Sequence, residues 1–309
     1  MSKKRNIECQ MVIIMNNLCR FGESKYDAKT KKRLALEKTI KACKTEEEKS
    51  KLRAEAPEGI YSFATLETYI RLNKTFCRWI KKNHPVRDLK HAREFTGEYL
   101  QYCINKDNSP STIKTKAAAL AKLYHTHSYE LGIVLPNRKR EDITRSRTVP
   151  DEKIEKKNQD VVYCAKGTGL RLHELRMLEG RDVYRNKKGE LIVKVRKGKG
   201  GKKRKVIVLP EFADKIEELA RKVKPKELVF KKVRKNINAH FYRAWFTQAC
   251  YDMLARPLDS LTKKEKYFMR NDRKGDVYDK DAMEKVSKQL GHNRIDVIAG
   301  HYLYTPKVA

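Results

Sequence analysis

Cationic and imidazole side chains, followed by a tyrosine, are spread through the second half of this 309-residue chain. Guanidinium groups donate paired hydrogen bonds to phosphate oxygens, and a tyrosine hydroxyl can act as a nucleophile. No cluster of carboxylates that could hold two metal ions accompanies them. These residue types suit transesterification of a phosphodiester, with the charge supplied by arginine. The residues are Arg171, Lys199, His240, Arg243, His292 and Tyr302.

The motifs of several other enzyme classes are missing from the sequence. It contains no GxSxG elbow, no GxxxxGK[ST] phosphate loop and no HExxH zinc motif. Its seven cysteines are scattered without a CxxC pair, which indicates free thiols in a reducing cytoplasm. The apolar run Met11–Met15 is too short for a membrane span or a signal peptide. We therefore expect a soluble cytoplasmic protein with no cofactor, no bound metal and no membrane partner.

The charge of the chain predicts a polyanionic partner. The formal net charge is +33, from 72 Lys and Arg against 39 Asp and Glu. Residues 1–150 hold 32 basic and 17 acidic side chains, and residues 151–309 hold 40 and 22. Because both halves are basic, nucleic acid is the leading partner. Two alternatives would also explain the charge: binding to a ribosome, or binding to an anionic membrane surface. The sequence shows no basic helix with a continuous apolar face, which a membrane-binding protein would be expected to have.

Hydrophobic spacing predicts helices throughout the first half. Residues 1–57 are expected to form an N-terminal helical arm, and residues 58–135 a helical bundle. Ser109-Pro110 is typical of a helix start, and the helix that follows places Lys114, Lys116 and Lys122 where a phosphate backbone could bind. Such a face is more often simply solvated. Residues 136–150 are expected to be a linker.

The second half, 151–309, mixes helices with a small sheet. Helices are predicted at 151–166, 211–223, about 235–254 and 281–290, and strands at Leu191–Val195 and Val206–Leu209. The charged segment 255–280 is expected to be an insertion. The glycine-centred tip between the strands adds candidate DNA-binding residues, namely Lys197, Lys202, Lys203 and Arg204. The fold class is therefore mainly α with a small β-sheet (α+β).

Taken together and in this order, the motifs of residues 151–309 resemble the tyrosine recombinase family, the phage-integrase-like site-specific recombinases. The helical bundle at 60–132 is similar to the core-binding domain of that family. The matching segments are Thr168-Gly169-Leu170-Arg171 with Glu174-Leu175, Gly198-Lys199-Gly200, His240-Phe241-Tyr242-Arg243, and Leu290-Gly291-His292 followed by Tyr302.

The resemblance implies an enzyme that cleaves and rejoins DNA through a 3′-phosphotyrosine intermediate and a Holliday junction, in a phage or mobile element. It implies a dimer on each double-stranded site, a tetramer in synapsis, and association with the nucleoid. Arg171 and Arg243 would hold the phosphate, Lys199 would protonate the leaving oxygen, and Tyr302 would attack. His240 would accept the tyrosine proton and His292 would brace the phosphate or the base.

Two features depart from the family pattern and leave alternatives open. The gap between Arg243 and His292 is about twice the usual one, and residues 255–280 account for the excess. Tyr302 lies ten residues after His292, where the family commonly has nine, and Tyr304 is its rival. Lys197 and Lys202 are rivals of Lys199. A type IB topoisomerase-like enzyme, or a non-catalytic DNA-binding protein with the same fold, are the alternative functions.

Overall fold

The computed structural model describes residues 6–52, 56–139, 148–270, 273–292 and 294–303. The chain divides into two compact units, Met1–Arg138 and Lys139–Ala309. Most of the predicted linker, residues 140–147, lies outside the described part of the chain. No helix within these described ranges is long and apolar enough to cross a membrane.

The N-terminal unit is built from helices in its described part. They are α1 (Ile7–Asn17), α2 (Lys25–Ala42), α3 (Glu46–Lys51), α4 (Phe63–Asn83), α5 (Leu89–Ala92), α6 (Thr96–Asn105) and α7 (Pro110–Leu123). The start of α7 is confirmed, because Ser109 Oγ accepts a hydrogen bond from the Thr112 N–H at 3.3 Å and Pro110 occupies the first turn.

One apolar core holds this unit together, and it includes the chain's first helix. Phe76 and Ile80 of α4 are fully buried at helical spacing, and Met11 and Met15 of α1 are buried in the same cluster. In contrast, α2 buries no residue, as its alternating charges predict. Residues 1–57 therefore combine a helix of the core with a solvated helix.

The C-terminal unit contains both helices and strands. Its elements are α8 (Glu152–Lys156), α9 (Gln159–Thr168), α10 (Leu172–Leu175), β1 (Val183–Arg185), β2 (Leu191–Val195), β3 (Arg204–Ile207), α11 (Pro210–Arg221), α12 (Ala239–Leu254), β4 (Lys266–Phe268), β5 (Val277–Asp279), α13 (Lys280–Leu290) and α14 (Asp296–His301). This composition confirms the predicted class, mainly α with a small β-sheet. The helix expected at 151–166 is two helices, because the chain leaves helical geometry at Asn158.

The larger sheet is antiparallel, with the strand order β1-β2-β3. Val193 of β2 lies between Val183 and Val206, and its side chain is fully buried in the core of the unit. The third strand ends at Ile207 rather than at Leu209, because Pro210 begins α11. Strand β1 is an addition to the two strands that the sequence predicted.

The segment 255–280 forms a second, two-stranded antiparallel sheet, β4-β5, between α12 and α13. Polar contacts replace the apolar residues that it lacks. Arg256 donates to both carboxylate oxygens of Asp279, at 2.8 and 2.9 Å, and Asp279 in turn caps α13 by accepting from the Asp281 N–H. The described residues of the segment expected to be an insertion therefore form a small sheet within the C-terminal unit.

Candidate active site

A left-handed glycine turns the chain so that Arg171 enters the site. Helix α9 ends at Thr168, and Gly169 follows with φ of +58°. A side chain at this position would be strained, and its Cβ would lie 2.5 Å from Phe246 Cδ1. The turn leaves Arg171 at the beginning of α10, where its backbone N–H donates to Glu174 Oε2 at 2.8 Å and its Nη1 donates to Oε1 at 3.2 Å.

Glu174 is a buried carboxylate that fixes two guanidinium groups. Arg204 donates to its two oxygens at 2.7 Å each, and Arg171 shares the same oxygens. Burial alone would raise the pKa of Glu174, but the hydrogen bonds and charges of Arg204 and Arg171 lower it to about 2. Glu174 is therefore ionised at neutral pH and holds Arg171 in place.

Arg204 lies inside the unit, although the sequence placed it among the DNA-binding residues of the hairpin. Its side chain is 8% exposed, and its Nε donates to the Gln289 carbonyl at 2.9 Å. Each of the three nitrogens of the guanidinium thus donates to a group within the unit. We therefore interpret Arg204 as a support for Glu174 and Arg171.

Arg243 is the most deeply buried cation of the site. Its Nη1 donates to the Gly169 carbonyl and its Nη2 to the Leu290 carbonyl, each at 2.5 Å, so that it joins the ends of α9 and α13. Burial lowers its pKa to about 10. The group remains protonated at neutral pH, and burial increases the strength of its field at nearby atoms.

His292 lies between the two arginines. Its Nε2 is 3.4 Å from Arg171 Nη2 and 3.3 Å from Arg243 Nη2. Because arginine can only donate, Nε2 must accept, and the ring proton belongs on Nδ1. Burial, followed by the charges of Arg243 and Arg171, lowers the pKa of His292 to about 4. The imidazole is therefore neutral at physiological pH.

Tyr302 belongs to the same cluster. It follows α14, and its hydroxyl accepts a hydrogen bond from Arg243 Nε at 3.3 Å. The Arg243 guanidinium lies 5.7 Å from the centre of the Tyr302 ring, and the ring centres of His292 and Tyr302 are 5.8 Å apart. Four of the six predicted residues, Arg171, Arg243, His292 and Tyr302, thus meet. The rival Tyr304 lies outside the described residues.

The other two predicted residues, Lys199 and His240, are both exposed. Lys199 begins a short 3₁₀ turn between β2 and β3, and its charge contributes to the lowered pKa of His292. His240 is exposed in the first turn of α12, one turn before the buried Arg243. The other predicted hairpin lysines, Lys197, Lys202 and Lys203, are exposed to solvent.

The predicted lysines of the N-terminal unit differ in their surroundings. Lys122 Nζ donates to the carbonyl oxygens of Pro57 and Glu58, at 2.7 and 3.0 Å. Lys116 Nζ lies 3.3 Å from both the Tyr99 hydroxyl and Cys103 Sγ. These two lysines therefore hold parts of their own unit together, whereas Lys114 is half-buried on the same helix.

The cluster offers an anion the cationic groups of Arg171, Arg243 and Lys199, a neutral imidazole and a tyrosine hydroxyl. Its single buried carboxylate, Glu174, is already paired with Arg171 and Arg204. In the ranges that the structure describes, no three His, Cys, Asp or Glu side chains are grouped as metal ligands would be. The arrangement is suited to holding a phosphate against a nucleophile.

Two solved structures have a similar fold over nearly the whole chain. The post-cleavage complex of the XerH site-specific recombinase with a palindromic difH substrate has a TM-score of 0.53 and 17% identity, covering 97% of this chain and 94% of that chain. The pre-cleavage complex of XerH with difH also has a TM-score of 0.53, with 16% identity, covering 99% and 95%. No protein-family model matches the chain, and comparison with curated proteins finds no match.

These structures define the class of fold. The chain has the fold of the XerH site-specific recombinase, which is the fold that the sequence motifs predicted. Arg171, Arg243, His292 and Tyr302 were predicted from the resemblance of their motifs to the tyrosine recombinase family. The basic run of the hairpin predicted that Arg204 contacts DNA. Its partner in the structure is Glu174, which lies 30 residues earlier in the chain, so the basic residues around Arg204 did not reveal this contact.

The neutral state of His292 gives a prediction for pH. Its pKa should be about 4 instead of the ordinary 6.5. As the pH falls from 6.5 towards 4, the unfolded chain takes up a proton that the folded chain does not, so His292 lowers stability across this window and adds no further loss below it. Imidazole proton NMR of the full chain measures the pKa directly.

Binding of an anion and removal of a neighbouring arginine should both raise the pKa of His292. Inorganic phosphate between the guanidiniums should raise the pKa of His292, because it offsets their charge. Arg171→Gln, which removes one guanidinium, should also raise it. Titration of His292 near its ordinary value in the free wild-type protein would contradict the geometry described above.

Proposed function

We propose that this protein is a site-specific DNA recombinase or integrase of the tyrosine recombinase family. It cleaves and rejoins strands through a 3′-phosphotyrosine linkage and a Holliday junction, in the service of a phage or mobile element. One observation supports this most strongly. Four residues from separate segments of the chain meet at one point, and the hydrogen-bonding atoms that join them are 3.3 to 3.4 Å apart. They are Arg171, Arg243, His292 and Tyr302.

The two arginines bind the scissile phosphate. Arg171 Nη2 and Arg243 Nη2 both point at His292 Nε2, so a non-bridging oxygen near that nitrogen would be within reach of both. Guanidinium donors stabilise the negative charge that develops on a pentacoordinate phosphorus. Because Glu174 and the two carbonyls bound by Arg243 hold these groups in advance, little reorganisation is needed at the moment of reaction.

Tyr302 is the nucleophile of this proposal. Its Oη forms a bond to phosphorus while the bond from phosphorus to the 5′ oxygen breaks, which leaves the 3′ phosphate on tyrosine. His240 accepts the tyrosine proton, and His292 braces the phosphate. The phosphotyrosine conserves the energy of the broken bond, so a 5′ hydroxyl of a second DNA end can reverse the step and reseal the strand.

Lys199 donates the proton that the departing 5′ oxygen needs, and this gives a second prediction. Lys199→Ala should lower strand cleavage about 10²–10⁴-fold, the usual contribution of general acid catalysis. A substrate with sulfur in place of the bridging 5′ oxygen should restore the rate, because a thiolate leaves without a proton. Single-turnover cleavage of the two substrates measures the effect.

The two rival lysines of the same hairpin are the matched controls. Lys197→Ala and Lys202→Ala remove the same charge from exposed positions and should cleave the sulfur and oxygen substrates with the wild-type ratio of rates. If one of them shows the rescue and Lys199→Ala does not, the general acid is that lysine instead.

Double-stranded DNA is the proposed partner, with a dimer on each recombination site and a tetramer in synapsis. The exposed Lys197, Lys202 and Lys203 of the hairpin, and Lys114 of α7, are proposed as phosphate contacts. In the cell the protein would be cytoplasmic and associated with the nucleoid when bound to DNA. With phosphate contacts of this kind, the affinity of the protein for DNA should fall steeply as the salt concentration rises.

Covalent trapping tests the proposed function. The full chain is incubated with nicked, end-labelled duplexes from the DNA that flanks its own gene, and the products are separated on a denaturing gel. A labelled protein–DNA adduct supports the proposal, and peptide mass spectrometry identifies the modified tyrosine. Relaxation of a plasmid that lacks these sequences would indicate a type IB topoisomerase-like enzyme. DNA binding without an adduct across the flanking sequences would indicate a non-catalytic binding protein.

A further inference from the structure

The β4-β5 hairpin contacts the segment that carries Tyr302. Arg273, between the two strands, is 7% exposed. Its Nη1 donates to the Ala299 carbonyl at 2.5 Å, and its Nη2 to the Leu303 carbonyl at 2.9 Å. Leu303 directly follows the proposed nucleophile. One buried guanidinium thus joins a carbonyl of the last turn of α14 to the residue after Tyr302.

A second donor from the hairpin reaches the same carbonyl. The Tyr278 hydroxyl donates to Leu303 O at 2.6 Å and also accepts a hydrogen bond from Arg273 Nη2. The Nε of Arg273 is bound to Asp276 at 2.8 Å, which balances its charge. We call Arg273 and Tyr278, with the carbonyls of Ala299 and Leu303, the tyrosine clasp.

The clasp is attached to both helices that flank the hairpin. Arg256, just after α12, binds Asp279 at the end of β5, and the Asp279 N–H donates to the hydroxyl of Tyr251 in α12 at 2.8 Å. Asp279 also caps α13. Because α12 carries Arg243 and α13 leads to His292, the hairpin links the tyrosine segment to the elements that hold the phosphate-binding groups.

The C-terminus of α14 explains why a cation, Arg273, can bind this segment. Carbonyl groups in the last turn of a helix have no partner within the helix, and they carry partial negative charge. Arg273 satisfies one of them and adds a bond to Leu303 beyond the helix end. The buried fork of a guanidinium fixes both acceptors in one geometry, which a lysine cannot do.

We propose that Arg273 and Tyr278 are positioning residues for the nucleophile, an inference that rests on the proposed function. The clasp sets where Tyr302 Oη lies relative to Arg171 and Arg243. It acts through the backbone on either side of Tyr302 and touches no substrate. The segment 255–280 thereby becomes a part of the catalytic apparatus.

The test is single-turnover cleavage by the full chain at saturating nicked DNA. Arg273→Gln should lower the rate constant about 100-fold, the usual effect of displacing a reacting group by about 1 Å. Tyr278→Phe should lower it about 10-fold, because one of two donors to Leu303 is lost. The dissociation constant for DNA should be unchanged in both. The double variant should lose little more than Arg273→Gln, since both residues act on one carbonyl.

Two controls separate positioning from other causes. Lys274→Gln removes the adjacent exposed charge, and Tyr267→Phe removes a hydroxyl from the facing strand, so both should cleave at the wild-type rate. The clasp variants should keep their defect on the substrate with a bridging 5′ sulfur, because nucleophile placement is independent of the leaving group. A purely structural role would instead lower the amplitude of the reaction and leave its rate constant unchanged.

A measurement without DNA tests the clasp independently of activity. Hydrogen exchange of the amides of Tyr302 and Leu303, both bonded to the Ile298 carbonyl, should be faster in Arg273→Gln while exchange in α12 is unchanged. If exchange is faster in Arg273→Gln but the wild-type protein forms no covalent adduct with DNA, the clasp is supported and the proposed recombinase function is rejected. The inference is overturned if the amides of Tyr302 and Leu303 exchange at the wild-type rate in Arg273→Gln. It is also overturned if Arg273→Gln cleaves DNA at or above the wild-type rate.

Discussion

Replacement of Tyr302 by phenylalanine is expected to abolish the covalent adduct and to lower strand cleavage by a factor of about 10⁴ or more, as loss of an enzyme nucleophile does. Phenylalanine retains the ring that lies beside the Arg243 guanidinium and the His292 ring, and only the hydroxyl is lost. DNA affinity and stability should therefore be close to those of the wild type. The denaturing gel for the adduct, with a binding titration of the same duplex, measures both quantities.

Two further tyrosine variants make this result specific. Tyr26→Phe changes a tyrosine that is 75% exposed in the N-terminal unit, and it should form the adduct as the wild type does. Tyr304→Phe should also retain the adduct. If the adduct survives in Tyr302→Phe and vanishes in Tyr304→Phe, the nucleophile is Tyr304 and the role given to Tyr302 is wrong.

Arg243→Lys is expected to reduce both catalysis and stability. Lysine keeps the charge but cannot donate at once to Gly169, Leu290 and Tyr302, as the guanidinium does. The loss of a preorganised donor to the phosphate should lower cleavage about 10²–10³-fold. Each buried carbonyl left without a donor should cost about 1–3 kcal/mol in the free energy of unfolding.

Arg171→Lys separates these two effects. The side chain of Arg171 is 14% exposed, and its described partners are Glu174 and His292 rather than a backbone carbonyl. Glu174 keeps both of its bonds to Arg204 when Arg171 is changed. Cleavage should fall as in Arg243→Lys, while the urea midpoint of unfolding stays near the wild-type value. Equal stability of Arg243→Lys and the wild type would mean that the carbonyls of Gly169 and Leu290 find other partners.

The four residues that meet in the site were identified from the resemblance of short motifs to the tyrosine recombinase family. Gly169 and Gly291 each follow a helix in the left-handed conformation, and they fix the direction in which the chain reaches Arg171 and His292. Such signals act over a few residues, so they are visible in the order of residues alone. The same is true of the Ser109 cap and of the hydrophobic spacing along α4 and α13.

Other assignments depended on residues that are distant in the chain. The basic run around Arg204 indicated a solvated or DNA-contacting hairpin, yet Arg204 points inward to Glu174 and to the carbonyl of Gln289. Lys122 likewise donates hydrogen bonds to the backbone carbonyls of residues that lie more than 60 positions earlier in the chain. Nothing in a run of charges specifies which member will meet a buried acceptor.

The sequence by itself therefore determined the fold class and the order of the motifs, and the resemblance of those motifs to the tyrosine recombinase family identified the four groups that converge on one point. Only the tertiary structure showed that the charged segment 255–280 folds as a hairpin with Arg273 bound to the carbonyls beside Tyr302. The physical reason is that helix periodicity and capping are set by near neighbours along the chain. Which cation meets which buried carbonyl or carboxylate is decided by how the elements pack, because burial leaves such an acceptor with no water to bind in its place.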